Sequence, residues 1–164
     1  MEISTSHSAL SLVKLCVGAD TIEDLANWQS KLIARRTEAG LDPRPRHVTR
    51  MWPRRGEEMR IGLADGASLY WVIKGLILVR QRILALEEVT GEDGIRRCGI
   101  VFDPVLMRVQ SRPRKVFQGW RYLPAADAPP DLGPWRAGET GGEYGLPVEL
   151  EAALDAIGVG AAGR

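Results

Sequence analysis

Apolar residues fall along this chain in short blocks, mostly with strand-like alternation and once at helical spacing. Leu10 to Val17 (LSLVKLCV) predicts a first strand, ended by Gly18. Ile22, Leu25, Trp28 or Gln29, Leu32 and Ile33 then recur every three or four residues, which predicts an amphipathic helix. Asp20-Thr21-Ile22-Glu23 resembles a capping box at its start, and Gly40 is placed to stop it. Leu41 to Arg46, with two prolines, reads as loop. His47 to Trp52 alternates as a short strand, and Pro53 suits the first turn of a short helix running to about Gly62.

The segment from Ser68 to Val89 is the β-rich heart of the sequence. Ser68 to Lys74 reads as strand, Gly75 as a bulge or bend, and Leu76 to Val89 as a further strand. Thr90-Gly91-Glu92-Asp93-Gly94 is a hairpin turn signal, after which Ile95 to Phe102 returns and Asp103-Pro104 breaks the run. Strand-like pieces follow at Leu106 to Gln110 and Val116 to Tyr122. From Leu123 the composition shifts to Pro, Gly, Ala and acid, which reads as an extended, poorly ordered connection. Pro147 to Ile157 reads as a short amphipathic helix. The expected architecture is α+β, with a mostly antiparallel, barrel-like sheet of short strands. It is organised as one domain over 8–123, a Pro/Gly-rich connection over 124–146 and a C-terminal helix over 147–158 packed back on the domain.

Composition is that of an ordinary globular protein, but charge is unevenly spread. Net charge is +1, yet Arg44 to Arg121 holds sixteen Lys/Arg against eight Asp/Glu, a local +8 between flanks of −2 and −5. Arginine outnumbers lysine eighteen to four. Guanidinium forks suit phosphates and base edges, and the interleaved aromatic rings suit stacking on unpaired bases. No basic and apolar leader opens the sequence, and the longest apolar run, Leu76 to Val79, is too short for a bilayer. Cys16 and Cys98 lack CxxC spacing and read as buried reduced thiols. The expectation is a cytoplasmic protein with no membrane partner.

Four strings stand out: HVTRMWPRR from His47, SLYWVIKGLILVRQRIL from Ser68, RCGIVFDP from Arg97 and RPRKVFQGWRYL from Arg112. Together they resemble an uncharacterised bacterial family, the domain-of-unknown-function family numbered 1489, over roughly residues 10 to 132. The order of elements, with a TR-containing strand and a strand leading into Lys74-Gly75, is also similar to the PUA-like barrels of the ASCH, EVE and YTH groups. Many of those bind RNA or modified bases, which is what that second likeness implies here.

Three constellations carry candidate chemistry. Arg50, Trp52, Arg54 and Arg55 surround a strand-to-helix junction, as a phosphate or stacking site or as a solvated turn over a core tryptophan. Lys74, Arg80 and Arg82 share strand parity, so they make either a basic groove or a solvent face balanced by Glu87 and Glu88. Arg112, Arg114, Gln118, Trp120 and Arg121 form the densest patch, with Gly119 allowing close approach of a ligand. The arginines at 50, 54, 55, 112, 114 and 121 are expected to converge on one face. Gly141 to Gly145 lacks the features of a phosphate-binding loop. His7 and His47, with two distant cysteines, offer no metal-ligand spacing, so neither metal nor cofactor is expected. His47 could form an acid–base pair only if Asp103 or Glu58 folds beside it. The expected function is a non-enzymatic module for RNA, single-stranded nucleic acid or a modified base, of undetermined oligomeric state. The alternatives are a small enzyme acting on a nucleotide or modified nucleoside, and a protein-interaction module.

Overall fold

A computed structural model of the chain describes residues 9–115 and 117–138. The expected C-terminal helix, the connection beyond Gly138, the Gly141 to Gly145 loop and His7 lie outside the described residues. In chain order the elements are β1 (Ser11–Leu15), α1 (Ile22–Glu38), β2 (Arg46–Thr49), α2 (Gly56–Met59), β3 (Ser68–Ile73) and β4 (Leu76–Thr90). They are followed by β5 (Arg96–Phe102), β6 (Met107–Pro113), β7 (Trp120–Leu123), a 3₁₀ turn (Ala125–Asp127) and β8 (Asp131–Pro134).

The fold is α+β, with a mostly antiparallel eight-stranded sheet. Its path runs β2-β5-β4-β3-β1-β7, with β6 paired to β4 and β8. The parallel pair β1–β3 aligns Leu12 with Leu69 and Leu15 with Val72. β4 is the spine, because its fifteen residues serve β3 and β6 with one half and β5 with the other. Among the described residues no ladder joins β2 to β7, so the path is open. Its two ends meet through side chains instead. Trp120 Nε1 donates to Met51 O at 3.1 Å, and Tyr122 Oη accepts from the Arg54 and Arg55 amides at 2.7 and 3.1 Å.

Core residues occupy both faces of the sheet. Leu12, Leu69, Trp71, Ile73, Val79, Ile100 and Phe102 form the larger cluster, which α1 covers with Ile22 and Leu25. Val13, Tyr70, Val72, Ile77, Val109 and Leu123 form the second. Helix α1 adds a polar tie in the midst of the first. Gln81 Oε1 accepts from Gln29 Nε2 (2.8 Å) and Trp71 Nε1 (2.9 Å), while Gln81 Nε2 donates to Gln29 Oε1 (2.7 Å) and the Asp103 carbonyl (3.1 Å). Both hydrogen-bonding ends of the Gln81 amide are thereby used in full.

Several local features differ from the sequence reading. The capping box sits one residue later: Thr21 Oγ1 accepts from the Asp24 amide, and Asp24 Oδ2 accepts from the Asp20 and Thr21 amides. The bend expected at Gly75 is present, and Lys74 belongs to it rather than to the end of β3. Both have positive φ (51° and 79°), and Ile73 pairs directly with Leu76, so they form a two-residue hairpin turn. The bulge lies beyond it, where the register shifts around Leu78. The segment read as poorly ordered contains β8, held on β6 by backbone pairing and by the Arg80–Asp131 ion pair at 2.7 Å. Cys16 and Cys98 are free thiols and buried, as expected.

Replacing Gln81 by Leu should cost about 2–3 kcal/mol in urea unfolding, because it orphans the Trp71 indole, the Gln29 amide and the Asp103 carbonyl. The Gln29→Leu/Gln81→Leu double variant should lose less than the sum of the two single changes. Additive losses would show that the pair does not act as a unit.

Candidate functional site

Directly opposed residues on paired strands point to the same face. Trp71 of β3, Lys14 of β1 and Trp120 of β7 therefore form one row on the face of the larger core. At one end of this row lies a cavity of about 250 Å³, lined by Cys16, Val17, Asp24, Leu25, Trp28, His47 and Trp71, with Gly18 and Ala19. Its walls come from the turn after β1, the first turns of α1, β2 and β3. Trp71 is at its floor, only 2% exposed, and Trp28 stands at its mouth, 42% exposed. His47 meets Trp71 edge-on, with ring centroids 5.6 Å apart at 86°.

Burial favours the neutral forms of two polar groups in this cavity, His47 and Cys16. Burial, aided by the Lys14 ammonium, pushes the His47 imidazole down to about 4. Burial pushes the Cys16 thiol up to about 11, against the opposing pull of Lys14. Asp24 is committed to capping α1. The pairing of His47 with Asp103 or Glu58 does not form: the Asp103 carboxylate accepts from the Val105 amide, and Glu58 is paired with Arg55. Among the described residues there is no group of three or more His, Cys, Asp and Glu able to hold a metal ion. No helix among them is long and apolar enough to cross a membrane.

The arginines expected on one face divide between two. Arg50, Trp52, Arg54 and Arg55 lie in and after the loop that Trp120 and Tyr122 hold from the larger-core face. Arg55 pairs with Glu58 and lies over the Tyr122 ring at 5.3 Å. Trp52 packs on the larger core with a buried Nε1, and Trp120 is braced edge-on against Tyr122. Arg121 points the other way, opposite Val13, and Arg112 lies opposite Ile77. Arg114 and Arg121 both stack on Phe117, at 5.3 and 5.0 Å. Gln118 is exposed, and its carbonyl accepts from Arg121. Gly119 has a φ of +72° and open space where a Cβ would stand, so its glycine serves the turn into β7. Arg80, on the same face as Tyr70, is spent on Asp131 and Ser68; Arg82 lies 3.9 Å from Asp103. Glu87 and Glu88 pair with Arg46 and Arg96 instead. Lys74 is exposed at its hairpin tip.

A family model described as "Protein of unknown function (DUF1489)" matches residues 12–160. The chain belongs to this family. No curated protein and no solved structure matches it. For this DUF1489 chain the cavity is the feature that sequence reasoning missed. Trp28, His47, Trp71 and Cys16 come from four segments, and only the Trp28-or-Gln29 ambiguity in α1 hinted that one of the two would face out.

Keeping His47 neutral makes the fold sensitive to acid. Its pKa falls on folding, so the unfolded chain binds the proton more readily and stability is lost as pH drops from about 6.5 through about 4. Urea unfolding should show a loss of the order of 3 kcal/mol across that window, reduced in His47→Phe. Equal pH dependence in both proteins would assign the acid sensitivity to other groups.

Proposed function

We propose that this chain is a nucleic-acid-binding module of PUA-like architecture that takes one base of a single strand, RNA or a modified base included, into the cavity behind Trp28. The observation that supports it is the size and lining of that cavity. An apolar cavity of about 150 Å³ holds a benzene ring, so about 250 Å³ has room for a nucleobase. A ring entering would pass Trp28 and meet Trp71 and His47. Stacking then belongs to Trp28 rather than to Trp52 or Trp120, which are occupied in bracing the 51–55 loop. Lys14 stands beside the cavity in the same row as Trp71, and Arg50 and Arg54 follow on the loop held by Trp120. None of these three has an ion-pair partner among the described residues, which suits them to the adjoining phosphates.

Cys16, His47 and Asp24 line one cavity, which is what the rival enzyme would need. A nucleophilic thiol is activated as thiolate by a hydrogen-bonded base. Here the thiol is pushed up, the imidazole is pushed down, and Asp24 is engaged with backbone amides, so the lining favours holding a neutral ring over attacking one. The proposed setting is the cytoplasm, and the reading requires neither metal nor cofactor.

A fluorescence titration with trinucleotides tests it. Trp28→Ala should weaken binding by about 1–3 kcal/mol, with a smaller change in melting temperature than loss of a core tryptophan would bring, since the ring is 42% exposed. Lys14→Ala should make the salt dependence shallower by about 0.7 per contact removed. No binding at low salt, or affinity unchanged in Trp28→Ala, would sink the proposal.

A further inference from the structure

The second face of the sheet carries a cluster that the cavity does not use. Arg112 Nη1 donates to the Asp127 carbonyl at 2.8 Å, and Arg121 Nη1 donates to the carbonyls of Gln118 and Trp120 at 3.0 and 3.2 Å. Arg114 and Arg121 share the Phe117 ring. None of the three is in an ion pair among the described residues, while most other arginines of the basic middle are. Gathering guanidinium groups around one ring costs mutual repulsion, and here backbone carbonyls and an aromatic face hold them in place without cancelling their charge. The remaining donor hydrogens are free to fork onto phosphate oxygens.

β7 ends the strand path, and its outer edge is unpaired among the described residues. Trp120 and Tyr122 project from it toward the cavity side, and Arg121 projects to the opposite side. The edge of one four-residue strand is therefore the short route between the two faces.

We propose that Arg114 and Arg121, stacked on Phe117, form a phosphodiester-backbone site on the second face together with Arg112 of the same face. A strand anchored by its base behind Trp28 continues over the β7 edge to reach it. The continuity rests on the function proposed above; the phosphate site stands without it. Contact at this site is by charge and fork geometry, so it is indifferent to base identity and even to the presence of bases.

The test uses three probes: a trinucleotide, a dodecanucleotide and an abasic dodecamer carrying the same phosphates without bases. The Arg114→Ala/Arg121→Ala variant should weaken binding of both dodecamers and flatten their salt dependence by about 1.4, at about 0.7 per lost contact. It should leave the trinucleotide unaffected. Trp28→Ala should weaken the trinucleotide and the dodecanucleotide while sparing the abasic probe. Because Arg121 also ties down its loop, Arg114→Glu serves as the second variant; that side chain stacks on the Phe117 ring and is in no ion pair among the described residues, and the change should abolish abasic binding. Abasic binding that depends on these arginines, with no trinucleotide binding at all, would uphold the phosphate site and defeat the cavity reading. Abasic binding absent at low salt, or equal in wild type and both variants, overturns the site.

Discussion

The fold depends on one buried amide. Gln81 is fully buried, and a buried amide without partners is costly, so its four hydrogen bonds fix where everything around it can stand. Gln29 sets the depth and rotation of α1 on the sheet. Trp71 is turned so that its indole nitrogen reaches the same oxygen, which leaves its ring face to the cavity. The Asp103 carbonyl ties in the chain where it leaves β5. Apolar packing alone would allow α1 to slide or roll by small amounts. The amide pair removes that freedom, and because Trp28 precedes Gln29, it also fixes the tryptophan at the cavity mouth.

Electrostatics follow from the same frame. The basic middle of the sequence resolves into arginines used internally and arginines left over. Arg44, Arg46, Arg55, Arg60, Arg80, Arg82, Arg96 and Arg97 are in ion pairs with nearby carboxylates. Most of these pairs are exposed and contribute little to stability, but they take their guanidinium groups out of the pool available to a ligand. Arg50, Arg54, Arg112, Arg114 and Arg121 remain. Strand parity then sorts Arg121 and Arg112 onto the second face, away from the loop that carries Arg50 and Arg54.

Much of the fold class was legible because alternation and turn chemistry are local. The α1 register, the hairpin after Thr90 and the burial of both thiols needed only neighbours in sequence. The misplaced features each depended on a distant partner or on a residue doing unusual work. Lys74 adopts a left-handed conformation that non-glycine residues seldom take, so its strand-like neighbours hid its place in the turn. β8 has almost no apolar signal and exists because β6 offers an edge and Arg80 offers a charge. The cavity was invisible for the same reason: it joins β1, α1, β2 and β3, and no spacing rule connects Cys16, Trp28, His47 and Trp71. The arginine clusters looked alike in composition, and only the alternation of Trp120, Arg121 and Tyr122 on a paired strand separates them.

The position of β1 sets an order of events during synthesis. It pairs on one side with β3 and on the other with β7, aligning Ser11 with Leu123. A chain emerging from the ribosome must make β1 first and then wait for nearly the whole described domain before its second edge is covered. Until then, a buried strand of the finished protein presents an open row of amides and carbonyls, the kind of edge on which partly made chains associate. Closing that ladder also brings together residues far apart in sequence, a slow step for any chain. β7 thus protects β1 late in synthesis, and of the described strands only β8 is made after it.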